Sequence, residues 1–137
     1  MSDFQWPVRV YYEDTDSGGV VYYANYLRFM ERARTEWMRA LGFEQDQLKR
    51  EAGILFAVRS ANVEFLRPAR FNDQLSVSVD IVARGRASLE FNQIVARCED
   101  KPIHLCTGLV KIACLDTASF RPQPIPDYLL KEIPDVG

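Results

Sequence analysis

The chain is expected to fold as α+β, with a curved antiparallel sheet wrapped around one long central helix, and three observations lead there. One helical pattern of about nineteen residues, from about Tyr23 to Leu41, is longer than any later helix candidate and spans roughly 28 Å at the usual rise. The strand patterns after it follow one another without intervening helices, which suits antiparallel neighbours and not a doubly wound parallel sheet. The length of 137 residues, with 47% hydrophobic and 26% charged residues, suits one core and hence a single domain over residues 1–137.

Val8, Val10 and Tyr12 alternate with Arg9, Tyr11 and Glu13, the period of a half-buried strand entered after Pro7. In the long helix, Tyr26, Met30, Ala33, Trp37 and Leu41 recur at spacings of three and four, with charges on the other faces and Gly42 as the stop. Arg32 and Glu36 stand at i,i+4 on its charged side. Glu44 to Ala52 reads as a short helix ended by Gly53, and Leu55 to Leu66 as extended chain. Leu75, Val77, Val79 and Ile81 alternate strictly with polar residues, a strand that turns at Arg84-Gly85-Arg86 into a partner carrying Leu89, Phe91 and Val95. Asp100-Lys101-Pro102 makes the next turn, and Ile103 to Leu115 the last long strand, whose edge invites pairing with a second copy. The proline-rich tail allows one short helix around Asp127 to Glu132.

Composition excludes several function classes. A net charge of −2 gives no general attraction to nucleic acid. Cys98, Cys106 and Cys114 are odd in number and evenly spaced by eight, without the close pairs of a structural zinc site, so they read as reduced thiols of a cytoplasmic protein and no metal is expected. The start, Met1 to Pro7, has no basic segment before an apolar run, and nowhere do about eighteen apolar residues follow one another. No transmembrane segment is expected. A station at the periphery of the inner membrane stays open.

The chemistry concentrates between Tyr11 and Tyr26, where an extended segment, an acidic loop, two glycines and a helix start follow one another. A helix N-terminus offers unpartnered N–H groups and the positive end of the macrodipole, so it favours an oxygen on which negative charge develops. A carboxylate beside it can activate water or attack directly, and Gly18 and Gly19 allow close backbone approach to a ligand. Read from spacing alone, Asp16 fits first a turn residue that caps backbone N–H groups, a common job for Asp near glycine. Asp14 and Glu13 read as structural or electrostatic neighbours. A calcium loop counted from Asp14 fails at its fifth and twelfth positions, Gly18 and Asn25. His104, the one histidine, has no nucleophile elbow to serve and no ligand partners at metal spacing.

The string from Tyr12 to Tyr26, followed by Phe29-Met30-Glu31-Arg32-Ala33-Arg34-Thr35-Glu36, resembles the signature of hot-dog-fold acyl-CoA thioesterases. It is most similar to their YbgC type, named for its association with the Tol-Pal genes and related to 4-hydroxybenzoyl-CoA thioesterase. The resemblance implies a hot-dog fold and hydrolysis of acyl-CoA, or of acyl carrier protein thioesters. It implies Asp16 as the catalytic nucleophile or general base, and the N–H of Tyr23 as the group that polarises the thioester carbonyl. Many YbgC-type members carry histidine where this chain has Tyr23, whereas the hydroxybenzoyl enzymes carry tyrosine. Coenzyme A would be part of the substrate, so no cofactor is expected. A homo-oligomer, dimer or tetramer, with sites at subunit boundaries is implied as well.

Around these two residues the candidate substrate contacts are Gly19, Tyr22, Asn25 and Tyr26, with Asn25 able either to cap the helix or to orient water. Arg84 and Arg86 flank Gly85 where exposed guanidinium groups can meet CoA phosphates, and two solvated turn arginines explain the pattern as well. The competing function is a non-catalytic adaptor near the cell envelope that binds acyl-CoA or acyl carrier protein, for which an Asp16 carboxylate would be unnecessary. A hot-dog hydratase would require a better placed histidine than His104.

Overall fold

The computed structural model describes residues 4–134. The single-domain expectation over 1–137 therefore includes residues 1–3 and 135–137, which lie outside the described residues, as does the start of the N-terminal segment read for a leader. In chain order the structure has strand β1 (Gln5–Arg9), a 3-10 turn (Tyr12–Asp14), helix α1 (Asn25–Ala40), helix α2 (Gln45–Glu51), strands β2 (Ile54–Phe65), β3 (Gln74–Ser78), β4 (Asp80–Arg84), β5 (Ser88–Arg97) and β6 (Ile103–Asp116), and helix α3 (Asp127–Leu130). The six strands form one antiparallel sheet in the order β1-β3-β5-β6-β2, with β4 paired to β5.

The α+β class holds, but a curved sheet wrapped around one long central helix does not. The path of paired strands is open: it ends at β1 on one side and β2 on the other, and among the described residues no ladder joins them. Helix α1 has 16 residues, not nineteen, and the remaining helical residues fall into the two short helices. The start moves because Tyr23 and Ala24 form a turn, with the N–H groups of Asn25, Tyr26 and Leu27 donating to the carbonyls of Tyr22, Tyr23 and Ala24. At the other end Gly42 takes φ +100, the left-handed conformation that closes a helix.

The apolar face read from the sequence is the one that packs. Tyr26, Phe29, Met30, Ala33, Trp37 and Met38 of α1 are buried with Leu75 and Val77 of β3, Phe91 and Val95 of β5 and Val110 of β6. Trp37 meets Phe91 edge to face, ring centroids 5.2 Å apart. Gly108 in β6 leaves room for Met30, whose sulfur would stand 2.8 Å from a Cβ placed there. On the charged side, Glu36 pairs with Arg39 and not with Arg32, and Arg39 also reaches Glu44.

Two strand readings are corrected. β1 begins at Gln5, with Pro7 inside it opposite Ser76, and ends at Arg9, because Tyr12 to Asp14 wind into the 3-10 turn. β6 is an interior strand between β5 and β2 and offers no free edge; β2 is an edge strand, and every residue in it from Val58 to Asn62 is exposed.

Candidate active site

The acidic loop is a miniature hairpin seated against the first turn of α1. The Tyr22 N–H donates to the Asp14 carbonyl at 2.9 Å, and the Asp16 N–H donates to the Val20 carbonyl at 2.9 Å. Thr15 and Val21 stand opposite each other between them. At the tip, the Gly19 N–H donates to the Asp16 carbonyl at 3.0 Å, and Gly19 takes φ +78, a conformation that a side chain would strain. The hairpin rests on the segment after β2: the Val21 N–H donates to the Ala69 carbonyl at 2.8 Å, and Val20 bridges Arg70.

Asp16 is exposed beside the glycines, and its Oδ1 accepts the Gly18 N–H at 2.9 Å. This is the turn-capping geometry of the plainer reading. It occupies one carboxylate oxygen and leaves Oδ2 without a hydrogen-bond partner among the described residues. The Asp16 charge extends to the phenol of Tyr22. The adjoining Tyr23 hydroxyl chiefly raises the Tyr22 pKa above the ordinary tyrosine value, with smaller contributions from burial and from Asp16. The Tyr22 and Tyr23 rings lie 4.7 Å apart and both are exposed.

The Tyr23 N–H, like that of Ala24 after it, has no acceptor among the described residues, whereas the N–H groups of Tyr22, Asn25, Tyr26 and Leu27 all donate to backbone carbonyls. It is an orphan donor in the turn that starts α1, where the backbone dipoles favour negative charge.

The remaining candidates divide. Tyr26 is buried, and its hydroxyl accepts the Ala69 N–H at 3.0 Å, so the ring joins α1 to the segment under the hairpin. Burial raises its pKa, opposed by the Ala69 N–H. Its ring and that of Tyr23 both face Phe65, at 5.6 and 6.1 Å between centroids, which assembles an aromatic wall with a half-exposed Phe65. Asn25 is buried and donates from Nδ2 to Asp14 Oδ1 at 2.9 Å; it makes no side-chain helix cap.

Arg84 donates from Nη1 to the carbonyls of Leu130 at 3.1 Å and Ile133 at 3.2 Å, closing the end of α3. It lines an open cavity of about 680 Å³ shared with Asp127, Lys131 and Glu132, a lining of mixed charge. Arg86 is exposed, on a turn closed by Gly85, whose N–H donates to the Ser88 carbonyl at 2.8 Å. His104 is exposed in β6 at the opposite end of the strand from Asp116 and plays no part in the hairpin. Among the described residues no group of three or more His, Cys, Asp or Glu is arranged to hold a metal, and no helix is long and apolar enough to cross a membrane.

Comparison with known proteins matches residues 10–133 to the thioesterase-like superfamily. The chain is 42% identical over 129 residues to an Escherichia coli O6:H1 protein named acyl-CoA thioester hydrolase YbgC, covering 94% of each chain. It is 41% identical to the acyl-CoA thioesterase YbgC of Haemophilus influenzae, covering 90% of this chain and 88% of that one. Among solved structures, a probable thioesterase from Bartonella henselae superposes with a TM-score of 0.82 at 33% identity, over 89% of this chain and 98% of that one.

Proposed function

The chain belongs to the YbgC-type acyl-CoA thioesterases of the thioesterase-like superfamily, and from that premise we propose that it hydrolyses acyl-CoA thioesters at the hairpin in front of α1. In this reading the thioester carbonyl oxygen takes the free Tyr23 N–H as its donor. Asp16 acts on the carbonyl carbon, either by taking a proton from water or by attacking through its free Oδ2 to give a transient anhydride that water then opens. Both routes release CoA as the thiol and the acyl group as the free acid. Gly19 and Tyr22 border the thioester, Tyr26 and Phe65 form the acyl wall, and Arg86 is the basic group left to meet the nucleotide phosphates. The reading extends to the phosphopantetheine of a carrier protein as the acyl carrier, since the reacting bond is the same.

The observation that carries the reading is a carboxylate with one unpartnered oxygen in the hairpin and an orphan N–H in the turn that follows it. A binding adaptor would need neither. Thiol release from acyl-CoAs of two to eighteen carbons tests it, with Asp16→Asn as the control for background. Loss of a general base costs on the order of 10² to 10⁴ in rate, so the variant should be nearly silent on substrates that the wild type turns over. Turnover at the wild-type rate in the folded variant removes Asp16 from the mechanism.

We also propose that the protein works as a homo-oligomer joined through the β2 edge, which would cover the exposed run from Val58 to Asn62 and place a second copy near Phe65.

A further inference from the structure

The buried groups around the hairpin include one carboxylate to which the proposed reaction gives no role. Asp14 is 4% exposed, although it lies in a loop among exposed neighbours. Its Oδ2 accepts the Tyr11 N–H at 2.8 Å, its Oδ1 accepts Nδ2 of Asn25 at 2.9 Å, and its carbonyl accepts the Tyr22 N–H at 2.9 Å. Three parts of the chain therefore meet on this residue: the exit of β1, the residue before the orphan N–H, and the first residue of α1. Asp16 is two residues downstream on the same hairpin arm. Burying a carboxylate is costly unless its oxygens are satisfied, and both are satisfied here by donors from elsewhere in the chain. Of the two, the Asn25 contact is the one that ties the hairpin to the helix.

We propose that Asp14 is a positioning residue for the reaction: its buried carboxylate, held by the Asn25 amide, fixes the Asp16 carboxylate in register with the Tyr23 N–H. The proposal rests on the hydrolase reading of the same site. It gives Asn25 a role different from the substrate contact expected from sequence, because the Asn25 amide faces Asp14 and is buried with it. Asp14 itself touches no reacting atom. A misplacement of about 1 Å between reacting groups can lower a rate on the order of 10²-fold, so a positioning residue should act on kcat and not on binding.

A reciprocal exchange tests this. Asn25→Asp places two carboxylates face to face in the buried contact, and the hairpin must move to separate them. Asp14→Asn with Asn25→Asp restores one donor and one acceptor at the contact, keeps an acceptor for the Tyr11 N–H and leaves the net charge unchanged. Steady-state thiol release from a short acyl-CoA, together with a thermal melt of each variant, supplies the readouts. Asn25→Asp should lower kcat on the order of 10- to 100-fold with KM nearly unchanged, at temperatures where the variant is fully folded. The double variant should recover most of that loss.

If Asn25→Asp melts earlier but keeps its kcat, the contact is structural only and the proposal fails. If the double variant stays as slow as the single one, the amide is needed for itself, as in substrate binding, and the proposal fails again. Should Asn25→Asp not fold, Asn25→Ala removes the donor without adding a charge, and the same division between kcat and KM decides. Asp16→Asn, measured alongside, separates the two levels: its silence upholds the hydrolase reading whatever the exchange shows, and its activity overturns that reading alone.

Discussion

Among single residues, burial shifts two thiols furthest. Cys106 and Cys114 stand eight residues apart in β6, on the same face of an alternating strand, and both are fully buried. Burial pushes their pKa values up to about 12 and about 11, so the reactive thiolate is suppressed at neutral pH, while Cys98 is exposed. Iodoacetamide should therefore alkylate the native protein at Cys98 alone and all three thiols after unfolding, as read by mass spectrometry; rapid native labelling of Cys106 would contradict the packing. The same shifts set a pH dependence. Unfolded thiols lose their protons near the ordinary value of 9.0, while the folded ones keep theirs to about 11 and about 12. Between those limits the unfolded chain binds fewer protons, so stability is fully present below about pH 9 and falls as pH rises, by about 1.4 kcal/mol per pH unit for each thiol. Urea titrations over that range should show the decline, and a flat profile would exclude it. Cys106 and Cys114 were legible in the sequence as strand residues; the candidate site residues were legible less evenly. Asp16 and Tyr23 stand out by type and position, but Asp14 differs from Asp16 only by its burial, and burial depends on which segment folds over it.

Among the elements, the contact between α1 and the sheet includes a polar residue that alternation conceals. Gln93 in β5 is fully buried; its Nε2 donates to the carbonyls of Met30 at 3.1 Å and Ser78 at 3.4 Å, and its Oε1 accepts from Nη1 of Arg34 at 2.9 Å. Burial lowers the Arg34 pKa, with the nearby Glu31 opposing the shift. Gln93→Leu should destabilise the fold by about 2 to 3 kcal/mol, since it leaves a partly buried guanidinium and two carbonyls short of partners. Chemical denaturation measures this, and an unchanged midpoint would mean that water replaces the amide at no cost. The same network explains why one expected strand is two. Ser78 Oγ accepts the Ile94 N–H at 2.9 Å, so the ladder to β5 is interrupted and β3 gives way to β4 around Val79. Alternation from Leu75 to Ile81 shows which residues face inward but not where a side chain takes over a ladder bond. The length of the last strand was readable for the same reason, and its interior place was not, because pairing order is set by long-range contacts.

In the whole molecule an open six-stranded sheet leaves the β2 edge exposed, and the candidate site lies at the start of α1. Light scattering at micromolar concentration should report a dimer or a larger assembly; a monomer would leave the β2 edge without the proposed partner. Substitution of Ala61→Pro, on that edge, should weaken the assembly more than it weakens the fold, since proline is tolerated at edges when its N–H has no bond within the sheet. That Asp16 and the Tyr23 N–H act on one thioester carbonyl is tested by a crystal structure of the Asp16→Asn variant holding an intact acyl-CoA. The expected result is a thioester oxygen about 2.7 to 3.1 Å from the Tyr23 nitrogen, with the residue 16 side chain about 3 to 3.5 Å from the carbonyl carbon. A thioester bound elsewhere, or one whose carbonyl turns away from that nitrogen, would contradict it.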